Sequence, residues 1–269
     1  MWPRYTAVLP RYMGEVMTHH RQDRAERTRL LLVEAAAACF DDVGFADASL
    51  VVITQLAGVS KGALYFHFDS KEQLAAAVMA ESRERLRQVV RAARQPGGPA
   101  VQYLIDLCHG LARRLDEDLV FRAGLRLTEE RRPGASLLVE TQSGTASDEV
   151  WSRSPRPAWA RLVHRQLALA AAAGELRPGV PVDEVASVLA GATTGFEVLA
   201  RQDRVWLSGR RLEQVWQAVL PALVPAERVS DLQAHGRPGS SGVASLLPGQ
   251  GRLARAAHAA EPSRPSRGG

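Results

Sequence analysis

The chain has 269 residues, 46% of them hydrophobic and 6% aromatic, with a net charge of +5. That is enough apolar material to bury one large core or two modest ones. Recurrent Ala, Leu and Arg, with few aromatics, favour helix over sheet and an all-α class. No run approaches the roughly 20 apolar residues of a membrane span. The N-terminus also lacks the charged, then apolar, then small-residue pattern of a secretory signal. These features argue against a membrane protein and for a cytoplasmic one.

Residues 1–20 show no apolar period and include Pro3 and Pro10, which reads as a disordered leader. Met13 and Met17 each offer an alternative start. From about Arg24 to Asp42, Leu32, Ala36 and Phe40 recur every fourth residue, flanked by Val33 and Cys39. That stripe predicts a first helix, ended near Gly44. Ser49 or Asp47 can cap a short second helix through Ala57, Gly58 breaks it, and Ser60 caps a third to about His67. Two short helices joined by a tight glycine turn have the layout of a helix-turn-helix, placed within residues 21–70. Ser70 and Gln73 form a capping box that opens a long helix from Lys71 to Ala93. Its charged second half reads as a connector over residues 71–94, ended by Gln95-Pro96-Gly97-Gly98-Pro99.

Helical patterns follow at about 100–115, 119–128, 157–173, 183–201 and 210–223, within a domain spanning 95–225. The polar, glycine-punctuated stretch from Glu129 to Pro155 reads as a long surface loop. Residues 226–269, rich in Gly, Pro, Ser and Arg, read as a disordered basic tail. Cys39 and Cys108 sit inside apolar patterns as small hydrophobes. No disulfide, metal or cofactor is expected.

A pI near 9.7 suits an acidic partner such as DNA, but residues 18–94 hold 11 Lys and Arg against 10 Asp and Glu. The case for DNA therefore rests on local geometry. A helix entering the major groove needs small residues at its leading end, so that its backbone can approach, and a cation to meet phosphate or guanine. Ser60, Lys61, Gly62 and Ala63 supply both, with Ser49 at the start of the preceding helix. Tyr65 and His67 follow as hydrogen-bond donors to phosphate, and Lys71 opens the next helix beside its free N–H groups. Leu64, Phe66 and Phe68 are assigned to the core. A lone Lys-Gly pair is ordinarily solvated surface; the whole arrangement is far more specific than its parts.

The residues Thr28-Arg29, Leu32-Val33, Ala35-Ala36, Phe40, Gly44-Phe45, Ser49-Leu50, Ile53 and the run from Ala57 to Phe68, with Lys71 and Leu74, resemble the DNA-binding domain of the tetracycline-repressor (TetR) family. The run from Gly62 to Phe68, Arg122-Ala123-Gly124-Leu125-Arg126-Leu127 and Trp216 are similar to the γ-butyrolactone autoregulator receptors of actinomycetes and their pseudo-receptor relatives. The resemblance implies a homodimer that sits on a palindromic operator in double-stranded DNA and leaves it when a small apolar ligand binds. It extends with less detail to about Pro225. Ala48 stands where the family often has a Thr cap, and Val52 replaces a typical acidic residue.

In receptors of this kind a tryptophan at the place of Trp159 lines the lactone pocket; its alternative is core packing. A pocket for a lactone with an alkyl chain needs an apolar tube and a few polar groups. Leu104, Leu107, Leu111, Trp159, Leu162 and Val163 are candidates for the tube, with Phe121, Leu125 and Phe196 nearby. Gln166, Thr193 and Thr194 are candidates to hydrogen-bond the ring. For dimerisation, the helix from Asp183 offers Val185, Val188, Leu189, Ala192 and Leu199, with Gly191 and Gly195 allowing close approach. The next helix offers Leu212, Val215, Trp216, Val219 and Leu223. The alternatives are a repressor that senses an antibiotic or biosynthetic intermediate and, from another class, a helical enzyme. Against the enzyme stands the absence of a nucleophile elbow, a His-Glu-x-x-His pair, a phosphate-cradling loop or a CxxC pair.

Overall fold

The computed structural model describes the backbone of residues 9–130 and 155–237, and the side chains from Asp23 onward. All regular structure among the described residues is helical: α1 (Leu9–Asp47), α2 (Leu50–Ala57), α3 (Lys61–His67), α4 (Lys71–Ala93), α5 (Ala100–Glu117), α6 (Leu119–Glu130), α7 (Pro155–Ala172), α8 (Val182–Leu199), α9 (Gly209–Leu223) and α10 (Ala226–Val229). A 3-10 turn, Arg204–Leu207, links α8 to α9. No described helix is long and apolar enough to cross a membrane. Most of the expected loop between α6 and α7, and the chain after Arg237, lie outside the described residues.

The first helix begins at Leu9, inside the segment expected to be irregular. Pro10 falls in its opening turn, where a missing N–H breaks no intrahelical bond. The helical run is interrupted at Gly44, whose φ of 81° suits glycine alone. Helix α4 starts as the capping box foresees: Ser70 Oγ accepts from the Gln73 N–H at 3.2 Å. The return arm differs, because Gln73 Oε1 accepts from the Asp69 N–H at 3.0 Å rather than from Ser70.

Two apolar cores result. The first gathers Leu32, Ala36 and Phe40 of α1, Ile53 of α2, Leu64 of α3 and Leu74 and Val78 of α4. The second gathers Val89 and Ala93 of α4 with Leu104, Ile105 and Leu107 of α5, Trp159 and Leu167 of α7, Leu189 of α8 and Trp216 and Leu220 of α9. Helix α4, a rod of about 34 Å at 1.5 Å per residue, therefore serves both.

The boundary expected after α4 is crossed by α6, whose Val120, Ala123 and Leu127 enter the first core. Gly124 makes that seat possible. A Cβ there would lie 2.2 Å from Ser82 Cβ and 3.1 Å from the Val78 carbonyl oxygen, so α4 and α6 touch almost backbone to backbone. Ser82 Oγ also donates to the Phe121 carbonyl at 3.0 Å. At the start of α6, buried Asp118 accepts from Arg85, from Arg114 at 3.0 Å and from the Phe121 N–H at 3.1 Å.

Residues 226–237, read from composition as the start of a disordered tail, pack on α5 instead; the rest of that stretch lies outside the described residues. The Gln233 N–H donates to Gln102 Oε1 at 2.8 Å, His109 Nε2 lies 2.9 Å from the Ala234 oxygen, and Arg237 meets Asp106 at 2.6 Å. Gln102, Asp106 and His109 share one face of α5; Gln102 donates to Asp106 at 2.9 Å, and all three bond chain about 130 residues away, out of reach of a local pattern. Asp106 is almost wholly buried, so Arg237 supplies the countercharge it needs.

Arg237→Ala is expected to lower stability by about 3 kcal/mol, read from the urea midpoint at fixed protein concentration. An unchanged midpoint would contradict the buried-pair account. Gly124→Ala, which forces α6 off α4, should cost about 1–3 kcal/mol in the same experiment.

Candidate functional site

The α2–α3 corner is built by local chemistry. Ser49 caps α2, its Oγ accepting from the Val51 N–H at 3.3 Å, so the cap that Ala48 cannot provide is recovered one residue later. Gly58 ends α2 in the left-handed region at φ 65°, with its N–H on the Gln55 carbonyl and that of Val59 on the Thr54 carbonyl, both at 3.1 Å. Ser60 then caps α3, accepting from the Ala63 N–H at 3.1 Å.

Leu64, fully buried, and Phe68 at the C-cap pin α3 to the first core. At 100° per residue this turns Gly62, Tyr65 and Phe66 outward, while Lys61 is the first residue of the helix. Ser60, Lys61 and Gly62 are exposed and Ala63 is half-buried. A Cβ on Gly62 would meet only Ser60 Oγ, at 3.9 Å, so the leading end of α3 is open. The Lys61 ammonium lies 5.8 Å from the centre of the Tyr65 ring. His67 is half-buried, its ring edge-on to Phe66 at 5.0 Å.

Two residues depart from expectation. Phe66 is not core but 78% exposed. Its position two residues after buried Leu64, about 200° round the helix, was the signal for this. Lys71 does not project a free ammonium: its Nζ donates to the carbonyls of Phe45 at 2.8 Å and of Ala46 and Ala48, each at 3.0 Å. It clamps the α1–α2 turn, with its charge 4.6 Å from the Phe45 ring centre.

A cavity of about 390 Å³ opens between α1, α4, α5, α6, α7, α8 and α9, within the size range of small-molecule sites. Its apolar wall includes Leu86, Cys108, Leu111, Ala112, Leu115, Phe121, Leu125, Trp159, Phe196, Leu207 and Leu212. Trp159 Nε1 donates to Thr193 Oγ1 at 2.6 Å, and that hydroxyl donates to the Leu189 carbonyl at 2.7 Å, so Trp159 is held in one orientation. Thr194 also lines the cavity.

Five expected pocket residues lie elsewhere. Leu104, Leu107 and Val163 are buried in the second core, Leu162 packs against it, and Gln166 is half-buried outside the cavity lining. On α5 the cavity is lined by Cys108, Leu111, Ala112 and Leu115; Leu104 lies on the same stripe but a turn nearer the N-terminus, in the second core, and Leu107 is turned further into that core. The stripe is apolar along its length, and sequence periodicity could not tell where along it the cavity begins.

The lining also holds charges that sequence reasoning missed: Asp41, Arg122, Arg126, Glu129, Arg156, Glu197, Arg201 and Arg204. They pair locally. Arg156 meets Glu129 and Glu197, each at 3.0 Å, and Arg201 meets Glu197 at 3.1 Å. Burial pushes Glu129 above the usual carboxylate range, opposed by Arg156, and presses Arg122 below its ordinary value, opposed by Asp41.

Of the residues expected at a subunit interface, Leu189, Leu212, Trp216 and Leu223 are buried within the subunit. Val188, Val198 and Leu199 of α8 and Leu169 of α7 remain exposed. Gly191 and Gly195 have nothing within 4 Å of a would-be Cβ, so α8 keeps an open, partly apolar face.

An all-helical chain with a helix-turn-helix at one end and a ligand-sized cavity at the other defines a class of small-molecule-responsive regulators. Residues 32–78 match the family model for bacterial regulatory proteins of the tetR family. The A-factor receptor protein of Streptomyces griseus is 30% identical over 81% of this chain and 71% of its own length. Among solved structures, a γ-butyrolactone receptor described as ArpA-like is 30% identical with a TM-score of 0.59, covering 76% of this chain and 92% of that one. CprB of Streptomyces coelicolor, solved with its operator sequence, is 29% identical with a TM-score of 0.57, covering 77% and 94%. The chain belongs to the TetR family, and over about three quarters of its length it is similar to γ-butyrolactone receptors.

Burial pushes the Cys108 thiol up to about 12, which leaves almost no thiolate at neutral pH and predicts a cavity that takes its ligand without a covalent bond. Iodoacetamide at pH 8 should leave Cys108 unmodified in the folded protein and alkylate it after urea unfolding, as read by mass spectrometry. Rapid modification of the folded protein would contradict this.

Proposed function

We propose that this protein is a homodimeric, cytoplasmic transcriptional repressor that holds a palindromic operator with its paired α3 helices and releases it when a small molecule with an apolar tail fills the cavity. It works by binding and not by turnover. The supporting observation is the open leading end of α3, where Ser60, Lys61 and Gly62 stand exposed on a helix fixed from behind by Leu64. Two such helices, one per subunit, must meet half-sites about one helical turn, roughly 34 Å, apart. Lys61 and Tyr65 meet phosphate or base edges, Gly62 and Ala63 let the backbone approach, Ser49 and His67 reach phosphate, and Phe66 packs on sugar or thymine methyl. Lys71 contributes indirectly by setting the α1–α2 turn. The open face of α8 is the surface we assign to the second subunit.

A ligand that fits the cavity better when the α3 helices are mis-spaced shifts the population away from the operator-bound form. A γ-butyrolactone is the first candidate, with its alkyl chain along Leu111, Leu125 and Phe196 and its ring near Trp159 and Thr193. A second reading, an antibiotic or biosynthetic intermediate as ligand, is favoured by the eight charged side chains around the cavity, more than a neutral lactone requires.

A gel-shift assay with duplex from the neighbouring promoter, with and without γ-butyrolactones, tests the proposal. Retarded duplex released by a lactone is expected. Failure to bind any duplex in preference to random sequence would overturn the repressor reading, and binding insensitive to lactones would favour the second ligand class. In the same assay Gly62→Ala should weaken binding at least about tenfold, because its methyl meets DNA and not protein. The substitution should also hold or raise thermal stability, since alanine favours helix by about 0.5–1 kcal/mol. Unchanged duplex affinity would contradict the groove geometry.

A further inference from the structure

The cavity reaches the helix-turn-helix by a route other than the long connector helix. Arg122 and Arg126 both line the cavity from α6 and both reach α1, Arg122 while also donating from Nη1 to the Leu115 and Asp116 carbonyls of α5, each at 2.9 Å. Arg122 Nε donates to Asp41 Oδ2 at 3.3 Å, and Arg126 Nη1 donates to the Asp41 carbonyl at 2.5 Å. Asp41 also lines the cavity, three residues before the break at Gly44. Arg126 Nε pairs with Glu130 Oε1 at 2.6 Å, and Glu130 Oε2 accepts from the Phe45 N–H at 3.3 Å.

The α1–α2 turn is thus gripped from two sides. The α6 arginines and Glu130 hold it from the cavity, while Lys71 holds the carbonyls of Phe45, Ala46 and Ala48 from the start of α4. Gly44 fits this grip closely, since a Cβ there would approach Arg126 Nη2 to 3.2 Å. The turn leads directly to Ser49, the cap of α2, so its position sets that of the DNA-facing corner.

Resting on the repressor reading above, we propose that Arg122 and Arg126 are positioning residues coupling the cavity to the helix-turn-helix through Asp41 and Glu130, and that an effector presents hydrogen-bond acceptors to these arginines in place of Asp41. An N–H released from Asp41 is satisfied by any acceptor offered in its place, while Arg122 stays anchored on the Leu115 and Asp116 carbonyls and Arg126 on Glu130. A carbonyl or carboxylate oxygen at that end of the cavity supplies that acceptor. An effector that is wholly hydrocarbon there would leave the grip intact. Arg156 makes the natural comparison: it lines the same cavity but pairs with Glu129 and Glu197, away from α1.

Coupling of this kind is reciprocal, so operator binding must be felt at the cavity even without effector. The test is amide hydrogen exchange on the full-length dimer, free and bound to a duplex that it has selected from a randomised pool, for the native protein and for Arg126→Gln and Arg156→Gln. In the native protein, duplex is expected to slow exchange in residues 44–67 and, by about fivefold or more, in residues 119–130. Arg126→Gln should keep the first effect and lose the second, while Arg156→Gln keeps both.

If duplex slows exchange in residues 44–67 but never in 119–130 of the native protein, or if Arg126→Gln leaves the α6 response unchanged, the coupling proposal is wrong and the repressor reading stands. Loss of the α6 response in both variants equally would also overturn it, because any disturbance of the cavity would then suffice. If no duplex is selected at all, the repressor reading itself fails.

Discussion

The close seat of α6 against α4 is the constraint on which the rest of the molecule turns. Gly124 lets α6 press on Ser82, Asp118 pins its start through Arg85, and Val120, Ala123 and Leu127 enter the core that carries the helix-turn-helix. The same helix turns Phe121, Arg122, Leu125 and Arg126 into the cavity. One 12-residue helix therefore belongs to two sites. Because its seat on α4 and the first core is close-packed, it cannot shift at the cavity without disturbing that core.

This sharing explains why the cavity has a charged end and an apolar end. Much of the apolar wall is made by α5, α7 and α9, whose other faces form the second core, joined by Leu86 of α4, Phe121 and Leu125 of α6 and Phe196 of α8, and burial of nonpolar surface drives their packing. The charged residues lie where α6 faces α1 on one side and Arg156 of α7, with Glu197 of α8, on the other. Ion pairs fill the junction: Arg122 with Asp41, and Arg156 with Glu129 and Glu197. Partly exposed pairs of this sort contribute little stability; they set geometry, and a bound molecule can compete with them.

Much of this was legible in the sequence wherever the information was local. Caps at Ser49, Ser60 and Ser70, the break at Gly58 and the apolar period of α1 located the first four helices, because each depends on residues within a turn or two. The exposure of Phe66 was legible too, from its angle to Leu64, but the habit of burying aromatics hid it. What could not be read was long-range. The grip of Lys71 on Ala48 joins residues 23 apart, and the clasp of Arg237 on Asp106 joins residues 131 apart. The stretch of α5 that lines the cavity was equally hidden, because Leu104 and Leu111 share one stripe and are alike until neighbouring helices close over one and leave the other open.

The central claim, that a filled cavity alters how the two helix-turn-helix units are spaced, is open to a direct distance measurement. With Cys39 and Cys108 both buried, a spin label can be placed on a new cysteine at exposed Gln55 of α2, and pulsed electron resonance can read the label-to-label distance across the dimer. The account predicts one narrow distance on operator duplex, matched to half-sites about 34 Å apart, and a shifted or broadened distance once an effector has released the duplex. Release of duplex with the distance distribution unchanged would contradict it.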